Sequence, residues 1–389
     1  MKRKKIAILL PWLKMGGTNK VALRFIRELV EYCDVTLILS QDRGELRSEV
    51  PENVQIIIDK MSSFRDILKK DIRRASIFFV LKDLIYYLKV KLKKDNIDNY
   101  KYIVDRHSLI TEDEYDCAIS YHGQSPERLL NLIYRIKAKK KVAWIHGEIS
   151  FSADDCRRMR KYYLKLDHYF FVSGPTMESF QKKITVDPQK CTIYYNPLDQ
   201  NEIIRLSKFP TEVKFDKNYT NILTVGRISS EKGQDMIPYI TKNLLEKGYK
   251  ICWYIIGDGD MLSNLEKLIR ENNVETNVIL LGVQTNPYCY MRACDIYVQP
   301  SYTEGYSTTI CEAAILGKAI IGTKPSGGIR DQISDGEDGM IVDATVSSLT
   351  EGITEIINNG ELRSSFEERI KMKDFSGKGE IRKLLSILQ

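Results

Sequence analysis

The chain has 389 residues, of which 43% are hydrophobic and 29% charged, a composition typical of a globular protein with enough sequence for two cores. No apolar run approaches the roughly 20 residues needed to cross a bilayer, which argues against an inserted membrane protein. The eight cysteines include no C-x-x-C pair, so neither a zinc site nor a disulfide framework is indicated, and reduced thiols in a cytosolic protein explain them best.

The charge is divided unevenly between the two halves. Residues 1–200 contain 37 Lys and Arg against 26 Asp and Glu, a net charge of +11, whereas the remainder contains 22 against 26, a net charge of −4. The first half is therefore the one expected to meet an anionic surface.

The chain begins with a basic and then apolar stretch, MKRKKIAILLPWLK. Its apolar centre is short and leads into a Gly-Gly turn, so we interpret it as the first strand and not as a signal peptide. Gly16 and Gly17 then precede a helical pattern. Glycines at this position allow a backbone approach to an anion or a sugar, and a plain tight turn is the alternative.

Short apolar runs alternate with helical or loop stretches along both halves. In the first half they are KIAILLP, DVTLILS, VQIIID, DCAISY, KVAWIH, HYFFVS and CTIYYN, and in the second NILTVG, ICWYIIG, VILLG, DIYVQPS, AIIGT and GMIV. Two such series predict an α/β protein with two Rossmann-like domains, each a doubly wound parallel sheet with helices on both faces.

The domain boundary is predicted at the Pro-containing turn that ends at Asp199. This choice gives domains 1–199 and 200–374, with a C-terminal helix in 375–389 expected to pack on the first domain. Ligands of such sheets bind at the carboxyl ends of the strands, so the cleft between the domains is the expected site.

From Arg65 to Lys94 the first half mixes aromatic residues with many Lys and Arg. Three interpretations remain open for this basic segment. It could form ordinary core-facing helices with solvated basic faces, a peripheral membrane face, or a nucleic-acid surface, although no recognisable nucleic-acid module accompanies it.

Two histidines stand out by their position. The stretch KVAWIHGE predicts a strand that delivers His146 to its carboxyl end, where catalytic groups of parallel sheets usually project. A structural, hydrogen-bonded histidine is the alternative. His122, in SYHGQ, is a second candidate, whereas His107 and His168 have no comparable context.

The second half begins with NILTVGRISSEKG, which places Arg227 and Lys232 just beyond a strand, in a loop bracketed by Gly226 and Gly233. These cations could be solvated surface charges. Alternatively, Arg can hold phosphate oxygens with two hydrogen bonds while Lys acts as a compact point charge.

The stretch YVQPSYTEGYSTTICEAAILG, residues 297–317, predicts a strand, a turn and a helix that begins near Ser307. The free amides of such a helix could hold a phosphate without a metal. Glu304 lies in the turn, and Glu312 lies in the helix among apolar residues, where an unpaired charge is costly. Glu312 could pair with a neighbouring Lys or Arg, or it could bind ligand hydroxyls.

Together these motifs resemble retaining GT-B glycosyltransferases, family 4 in particular. The two glutamates match the E-x7-E signature of that family, and the Arg227 and Lys232 loop matches its VGR-x4-KG string. The Gly-Gly loop, the His-Gly pair at His146, a Gly-Asp-Gly turn at 257–259 and a glycine-rich segment at 326–331 match further elements. The chain departs from the pattern at Tyr306, where Phe is common, and at Asp331, where Glu is usual.

The resemblance implies a role for each candidate residue. Glu304 would address the donor sugar and Glu312 the ribose hydroxyls, while Arg227 and Lys232 would neutralise the diphosphate. His146 would contact the sugar near the reacting centre. The remaining residues would lie against the donor through their backbone, namely Gly16, Gly17, Gly305, Tyr306, Ser307 and Thr308.

The expected function is therefore transfer of a sugar, with retention, from a nucleotide-diphosphate sugar to a glycan or lipid-linked oligosaccharide in bacterial surface polysaccharide synthesis. A UDP-sugar is the favoured donor, no metal or other cofactor is expected, and no nucleic-acid partner is expected. The protein would be cytoplasmic and peripheral at the inner face of the membrane, where it would meet anionic lipid. A nucleotide-sugar epimerase of the same fold and an inactive, membrane-associated partner of a transferase are the alternatives.

Overall fold

The computed structural model describes residues 3–59, 101, 104, 108–149, 151–324 and 327–389. The basic segment from Arg65 to Lys94, together with His107, lies outside these residues. The described chain forms two compact units. The first comprises Met1–Val172, Thr176–Tyr195 and Gly379–Gln389, and the second comprises Ser173–Pro175 and Asn196–Lys378.

Within the residues that the structure describes, the first unit is built on a seven-stranded parallel sheet. Its strands are β1 (Lys4–Leu10), β2 (Cys33–Leu39), β3 (Gln55–Ile58), β4 (Glu114–Ser120), β5 (Lys137–Ile145), β6 (His168–Phe171) and β7 (Cys191–Ile193). They lie in the order β3-β2-β1-β4-β5-β6-β7, which is the doubly wound order in which the chain turns back at the first strand. The seven apolar runs predicted from the sequence are thus confirmed as strands.

Helices connect these strands. In the described part of the chain before Asn196 they are α1 (Gly17–Leu29), α2 (Pro126–Arg135), α3 (Ala153–Tyr163) and α4 (Gly174–Lys183). One face of α1 is apolar and buried, because Val21, Ala22, Phe25, Ile26 and Leu29 are each at most 1% exposed. The amphipathic pattern of this helix therefore packs it against the sheet.

The second unit repeats this architecture with six parallel strands, β8 (Thr220–Val225), β9 (Ile251–Ile256), β10 (Val278–Gly282), β11 (Ile296–Gln299), β12 (Ala319–Thr323) and β13 (Met340–Val342). Their order is β10-β9-β8-β11-β12-β13. The helices after Asn196 are α5 (Gln200–Ser207), α6 (Ile237–Glu246), α7 (Leu262–Glu271), α8 (Tyr288–Ala293), α9 (Thr308–Ile315), α10 (Val346–Asn358), α11 (Gly360–Ile370) and α12 (Glu380–Ile387).

Both faces of the second sheet are covered by apolar clusters. Along β8, Leu223 and Val225 belong to one cluster and Ile222 to another. Along β9, Tyr254 and Ile256 face the first cluster, whereas Trp253 faces the second. This alternation is the period-2 pattern of a strand buried on both sides, which explains why these runs are apolar throughout.

The main division of the chain lies between Tyr195 and Asn196, four residues before the boundary placed at Asp199. The segment that follows belongs to the second unit because Leu198 N donates to Phe375 O at 3.3 Å and Gly377 lies directly against Pro197. The last eleven residues belong to the first unit, where Lys383 Nζ in α12 donates to Ile193 O at 2.9 Å.

The described residues also bear on two expectations from composition, which concern membrane-spanning helices and the state of the cysteines. Within the part of the chain that the structure describes, no helix combines the length and apolar character needed to span a bilayer. All eight cysteines are free thiols, and only Cys191 and Cys252 are not fully buried. Burial raises the pKa of Cys117 and of Cys294 to about 12, so these thiols stay protonated and behave as small apolar side chains.

Candidate functional site

The predicted site residues are divided between the two units. Gly16, Gly17 and His146 lie in the first unit, and the remaining candidates lie in the second. In the second sheet β8 lies between β9 and β11, so the connections that leave β8 and β11 flank the point where the strand order reverses. Loops at this point are where parallel sheets bind ligands.

The loops after β8 and β11 are joined through their backbones. Tyr302 N donates to Glu231 O at 2.9 Å. Gly233 adopts a left-handed conformation with φ of 68°, and a Cβ on it would lie 2.1 Å from Pro300 O. Only glycine satisfies both requirements, which is the physical reason for the Lys232-Gly233 pair in the sequence.

This close approach brings Lys232 to Glu304. Lys232 Nζ lies 2.5 Å from Glu304 Oε2, and the two side chains are 21% and 12% exposed. The resemblance assigned the lysine to the diphosphate and the glutamate to the sugar. The two groups form an ion pair, so each holds the other in place and the charge of the largely buried carboxylate is compensated.

A buried polar chain leads to Glu304 from β11. Tyr297 Oη donates to Gln299 Oε1 at 2.8 Å, Gln299 Nε2 donates to Ser301 Oγ at 2.9 Å, and Ser301 Oγ donates to Glu304 Oε2 at 3.4 Å. Sequence reasoning missed Gln299 and Ser301. A partial signal was present, because 297 and 299 follow the two-residue period of β11, whereas Ser301 lies just beyond the strand.

The predicted helix start is confirmed. Ser307 is the N-cap of α9, and its side chain accepts from Ile310 N at 3.4 Å. The amide of Ser307 is engaged elsewhere, because it donates to Gln332 Oε1 at 3.2 Å. Thr308 and Thr309 therefore supply the first helical amides, whose positions carry no intrahelical acceptor.

Gly305 and Tyr306 connect Glu304 to this helix and are half-buried. A Cβ on Gly328 would lie 2.0 Å from Gly305 O, and Gly328 N donates to Glu304 O at 3.2 Å. Gly328 thus packs directly on the turn that carries Glu304.

Glu312 is only 8% exposed and accepts from Tyr288 Oη on α8 at 3.2 Å. Tyr288, itself buried, was not singled out from the sequence because it lies on another helix, 24 residues away. A carboxylate oxygen can accept more than one hydrogen bond, so this position is compatible with binding ligand hydroxyl groups.

Arg227 lies at the start of the loop after β8 with an exposed side chain. Its backbone is fixed, because Arg227 O accepts from Gln234 Nε2 at 2.9 Å. Gly257 and Gly259 allow the Gly-Asp-Gly turn to lie against this loop, with Ile228 N donating to Asp258 O at 3.0 Å. The guanidinium is thus an accessible cation on a fixed backbone.

In the first unit, Gly16 is the N-cap residue of α1 and Gly17 its first residue. A Cβ on Gly16 would meet nothing within 4 Å, and Lys20 N donates to Gly16 O at 3.0 Å. The amino end of α1 is therefore bare of side chains at this position.

His146 follows β5, and His122 follows β4. Their ring centroids are 5.8 Å apart. Burial, together with the neighbouring His122, holds the pKa of His146 well below its usual 6.5, and burial with the nearby Arg128 lowers the pKa of His122 to about 4. Both imidazoles are therefore neutral at pH 7 and can act as hydrogen-bonding groups.

One nitrogen of each ring has no hydrogen-bond partner among the described residues. His146 Nε2 and His122 Nδ1 are buried and make no hydrogen bond to the residues that the structure describes. Buried polar atoms in this state are uncommon, and a ligand or a water molecule is one kind of partner that can satisfy them.

Comparison with known proteins gives a family match within the second unit. Residues 207–373 match the model of the family described as glycosyl transferases group 1. This stretch therefore resembles a group 1 glycosyltransferase domain. The resemblance inferred from the sequence is thereby confirmed for the part of the chain that holds Arg227, Lys232, Glu304 and Glu312.

A curated relative extends the match. The chain is 28% identical over 214 residues to the N-acetylgalactosamine-N,N'-diacetylbacillosaminyl-diphospho-undecaprenol 4-alpha-N-acetylgalactosaminyltransferase of Campylobacter jejuni, covering 54% of this chain and 56% of that protein. The chain thus spans a little over half the length of this relative.

Solved structures share the fold of the whole chain. Anabaena HepE, crystallised with UDP and glucose, is 16% identical, with a TM-score of 0.70 and 99% of each chain covered. A variant of S. aureus TarM, in a complex that includes UDP, is 14% identical with the same TM-score, covering 99% of this chain and 100% of that one. These likenesses confirm the predicted GT-B fold of two Rossmann-like domains.

Proposed function

We propose that this protein is a retaining glycosyltransferase that uses a nucleotide-diphosphate sugar, with a UDP-sugar as the favoured donor. The observation that carries the proposal is the convergence of Arg227, the Lys232–Glu304 pair and the amino end of α9 at the switch point of the second sheet. Cations and free amides at one place suit a diphosphate.

The leaving nucleoside diphosphate would be stabilised by the protein itself. Arg227 and Lys232 supply two positive charges, and the amides of Thr308 and Thr309 supply the positive end of the α9 dipole. Diphosphate oxygens would compete with Glu304 for Lys232, so donor binding would release the carboxylate towards the sugar. Activity should therefore survive EDTA, and a complete loss that Mg²⁺ or Mn²⁺ restores would contradict this account.

Sugar and ribose would be bound by different groups. Glu304 and the neutral His146 would hold the sugar, and Glu312, oriented by Tyr288, would accept from the ribose hydroxyls. Gly16 and Gly17 would allow the backbone to approach the donor phosphates and the acceptor. In this account neither carboxylate need form a covalent intermediate.

The acceptor would be a glycan or a lipid-linked oligosaccharide in bacterial surface polysaccharide synthesis. The name of the Campylobacter relative specifies a diphospho-undecaprenol substrate, and such a substrate would place this protein at the cytoplasmic face of the membrane. The +11 charge of residues 1–200 favours contact with anionic lipid there.

The test begins with thermal-shift measurements against UDP-, GDP- and ADP-sugars. A ligand at a hundred times its dissociation constant stabilises the folded protein by about 2.7 kcal/mol, so the true donor should raise the melting temperature. Incubation with that donor and a lipid-linked oligosaccharide should then give a product with the donor's anomeric configuration, which NMR can establish.

The alternatives give different results in the same experiments. A new nucleotide sugar formed without acceptor would indicate an epimerase. Absence of any shift with all three classes of nucleotide sugar would contradict a donor site and favour an inactive partner of another transferase.

A further inference from the structure

Gln332 follows the short 3-10 helix Gly327–Asp331 and is completely buried, with 0% exposure. Its carboxamide forms hydrogen bonds with both the backbone amide and the backbone carbonyl of Ser307. Gln332 Oε1 accepts from Ser307 N at 3.2 Å, and Gln332 Nε2 donates to Ser307 O at 2.6 Å. In the opposite amide orientation Nε2 would face the donor Ser307 N, and Oε1 would face the acceptor Ser307 O. These two contacts therefore determine which side-chain atom is the nitrogen and which is the oxygen.

A third contact ties the same side chain to the first turn of α9. Gln332 Nε2 lies 2.8 Å from Cys311 Sγ. Burial raises the pKa of this thiol to about 12, so the sulfur is neutral and serves as a weak acceptor. Gln332 therefore contacts α9 both at its N-cap and one turn into the helix.

Ser307 in turn organises the end of the helix. Its side chain accepts from Ile310 N, and its carbonyl accepts from Cys311 N at 3.3 Å. With these groups engaged, the amides of Thr308 and Thr309 are the ones aimed out of the helix end. Their direction depends on the orientation of Ser307, which Gln332 holds.

We propose that Gln332 is a positioning residue for the anion-binding end of α9. This proposal rests on the proposed function in one respect, which is that the bound anion is the donor diphosphate. Gln332 would not touch the donor. It would act by keeping the Thr308 and Thr309 amides in the orientation that receives phosphate oxygens, so that no reorganisation is needed on binding.

Two variants and one control test this role. Gln332→Leu removes all three contacts at similar volume. Gln332→Glu keeps an acceptor for Ser307 N, loses the donor to Ser307 O and adds a negative charge behind the proposed phosphate site. The control is Asn221→Leu, because Asn221 is also buried and its side chain donates to Asp216 O, Tyr219 O and Asp295, at the opposite, amino-terminal edge of the same sheet.

UDP affinity should be measured by calorimetry at a temperature where every variant is folded. We expect both Gln332 variants to bind UDP at least tenfold more weakly than the wild type, and the control to bind within twofold. Affinities of both Gln332 variants within twofold of the wild type, or a loss no greater than in the control, would overturn the proposal.

Hydrogen exchange without nucleotide separates this proposal from the proposed function. In Gln332→Leu the amides of residues 307–311 should exchange faster, while those of α10 should not change. If the wild type binds no nucleoside diphosphate, the proposed function fails, and exchange still decides whether Gln332 orders α9. Unchanged exchange at 307–311 would refute the positioning role in either case.

Discussion

At the scale of single residues, the two glutamates of the E-x7-E pattern lie in different environments. Glu304 pairs with Lys232 at 2.5 Å, whereas Glu312 accepts from the hydroxyl of Tyr288. The lysine of an ion pair can bind a competing anion and so release its carboxylate, whereas a buried carboxylate beside a tyrosine hydroxyl can accept further hydrogen bonds from ligand hydroxyls. Mutations of these two residues should therefore have different effects on ligand binding and on turnover.

The first prediction separates binding from turnover. Glu312→Ala should weaken UDP binding by about 10-fold to 100-fold, because hydrogen bonds to a charged group contribute about 1.5–3 kcal/mol. Glu304→Ala should lower kcat more than it changes UDP affinity. Calorimetry and steady-state kinetics measure the two effects. Tyr288→Phe, which removes only the supporting hydroxyl, should fall between wild type and Glu312→Ala, and negligible effects of both alanine variants would refute the site assignment.

The second prediction concerns pH. The pKa of folded His122 is about 4, below its usual value of 6.5, so the unfolded chain binds more protons between these values and stability falls as the pH falls from 6.5 towards 4. Replacing His122 by Gln should make this fall in folding stability smaller by up to about 1.4 kcal/mol per pH unit. Urea denaturation at pH 7 and pH 5 provides the comparison.

An identical pH dependence in wild type and His122→Gln would contradict the buried, neutral state of this imidazole. Because the pKa of His146 is also held well below its usual range, the pH–rate profile should show no inflection from this residue near pH 6.5.

At the scale of elements, loops and not helices bring the charged groups of the second unit together. The loop after β8 carries Arg227 and Lys232, and the turn after β11 carries Glu304. The contact between them depends on Gly233, whose left-handed conformation and close approach to Pro300 leave no space for a side chain. The glycine therefore sets the distance between Lys232 and Glu304.

The third prediction compares two glycines with positive φ. Gly233 has φ of 68° and a Cβ position 2.1 Å from Pro300 O, whereas Gly248 has φ of 86° and nothing within 4 Å. Gly248→Ala should cost about 1 kcal/mol of folding free energy, from backbone strain alone. Gly233→Ala should cost more and should lower kcat, because it forces the two loops apart.

Urea denaturation and turnover at saturating donor check this difference. If Gly233→Ala behaved like Gly248→Ala in both measurements, the close packing of the two loops would not determine the geometry of the Lys232–Glu304 pair.

At the scale of the whole molecule, the sequence has a strong charge asymmetry, with +11 on residues 1–200. Part of this charge is in the basic segment from Arg65 to Lys94, outside the described residues. Its composition alone suggests an interfacial role, because aromatic residues favour the headgroup layer and each Lys or Arg near an anionic surface contributes about 1 kcal/mol.

The fourth prediction tests that role. Purified protein should co-sediment with vesicles that contain anionic lipid and not with neutral vesicles, and 1 M salt should release much of it because the Debye length falls to about 3 Å. Replacing Lys89, Lys91, Lys93 and Lys94 by Gln should reduce vesicle binding and leave UDP affinity unchanged. If wild-type protein does not bind anionic vesicles at low salt, that result would instead favour a soluble acceptor.

Much of the architecture could be predicted from local sequence. The thirteen apolar runs became thirteen parallel strands because a strand buried on both faces must be apolar at nearly every position. The start of α9 at Ser307 was equally predictable, since a short hydroxyl side chain that can accept from the first turn favours an N-cap.

Other features required the tertiary structure, because they join residues that are distant in the chain. Lys232 meets Glu304 across 72 residues, Tyr288 reaches Glu312 across 24, and Gln332 reaches Ser307 across 25. In the sequence Gln332 is one polar residue after a glycine-rich segment, with no periodicity or motif to mark it. The sequence by itself determined the element types and the two parallel sheets, because backbone periodicity and burial are local properties. Which polar groups satisfy each other was decided only when the crossover connections brought the strand ends together, because a buried carboxylate or amide is stabilised by whichever partner lies within about 3 Å.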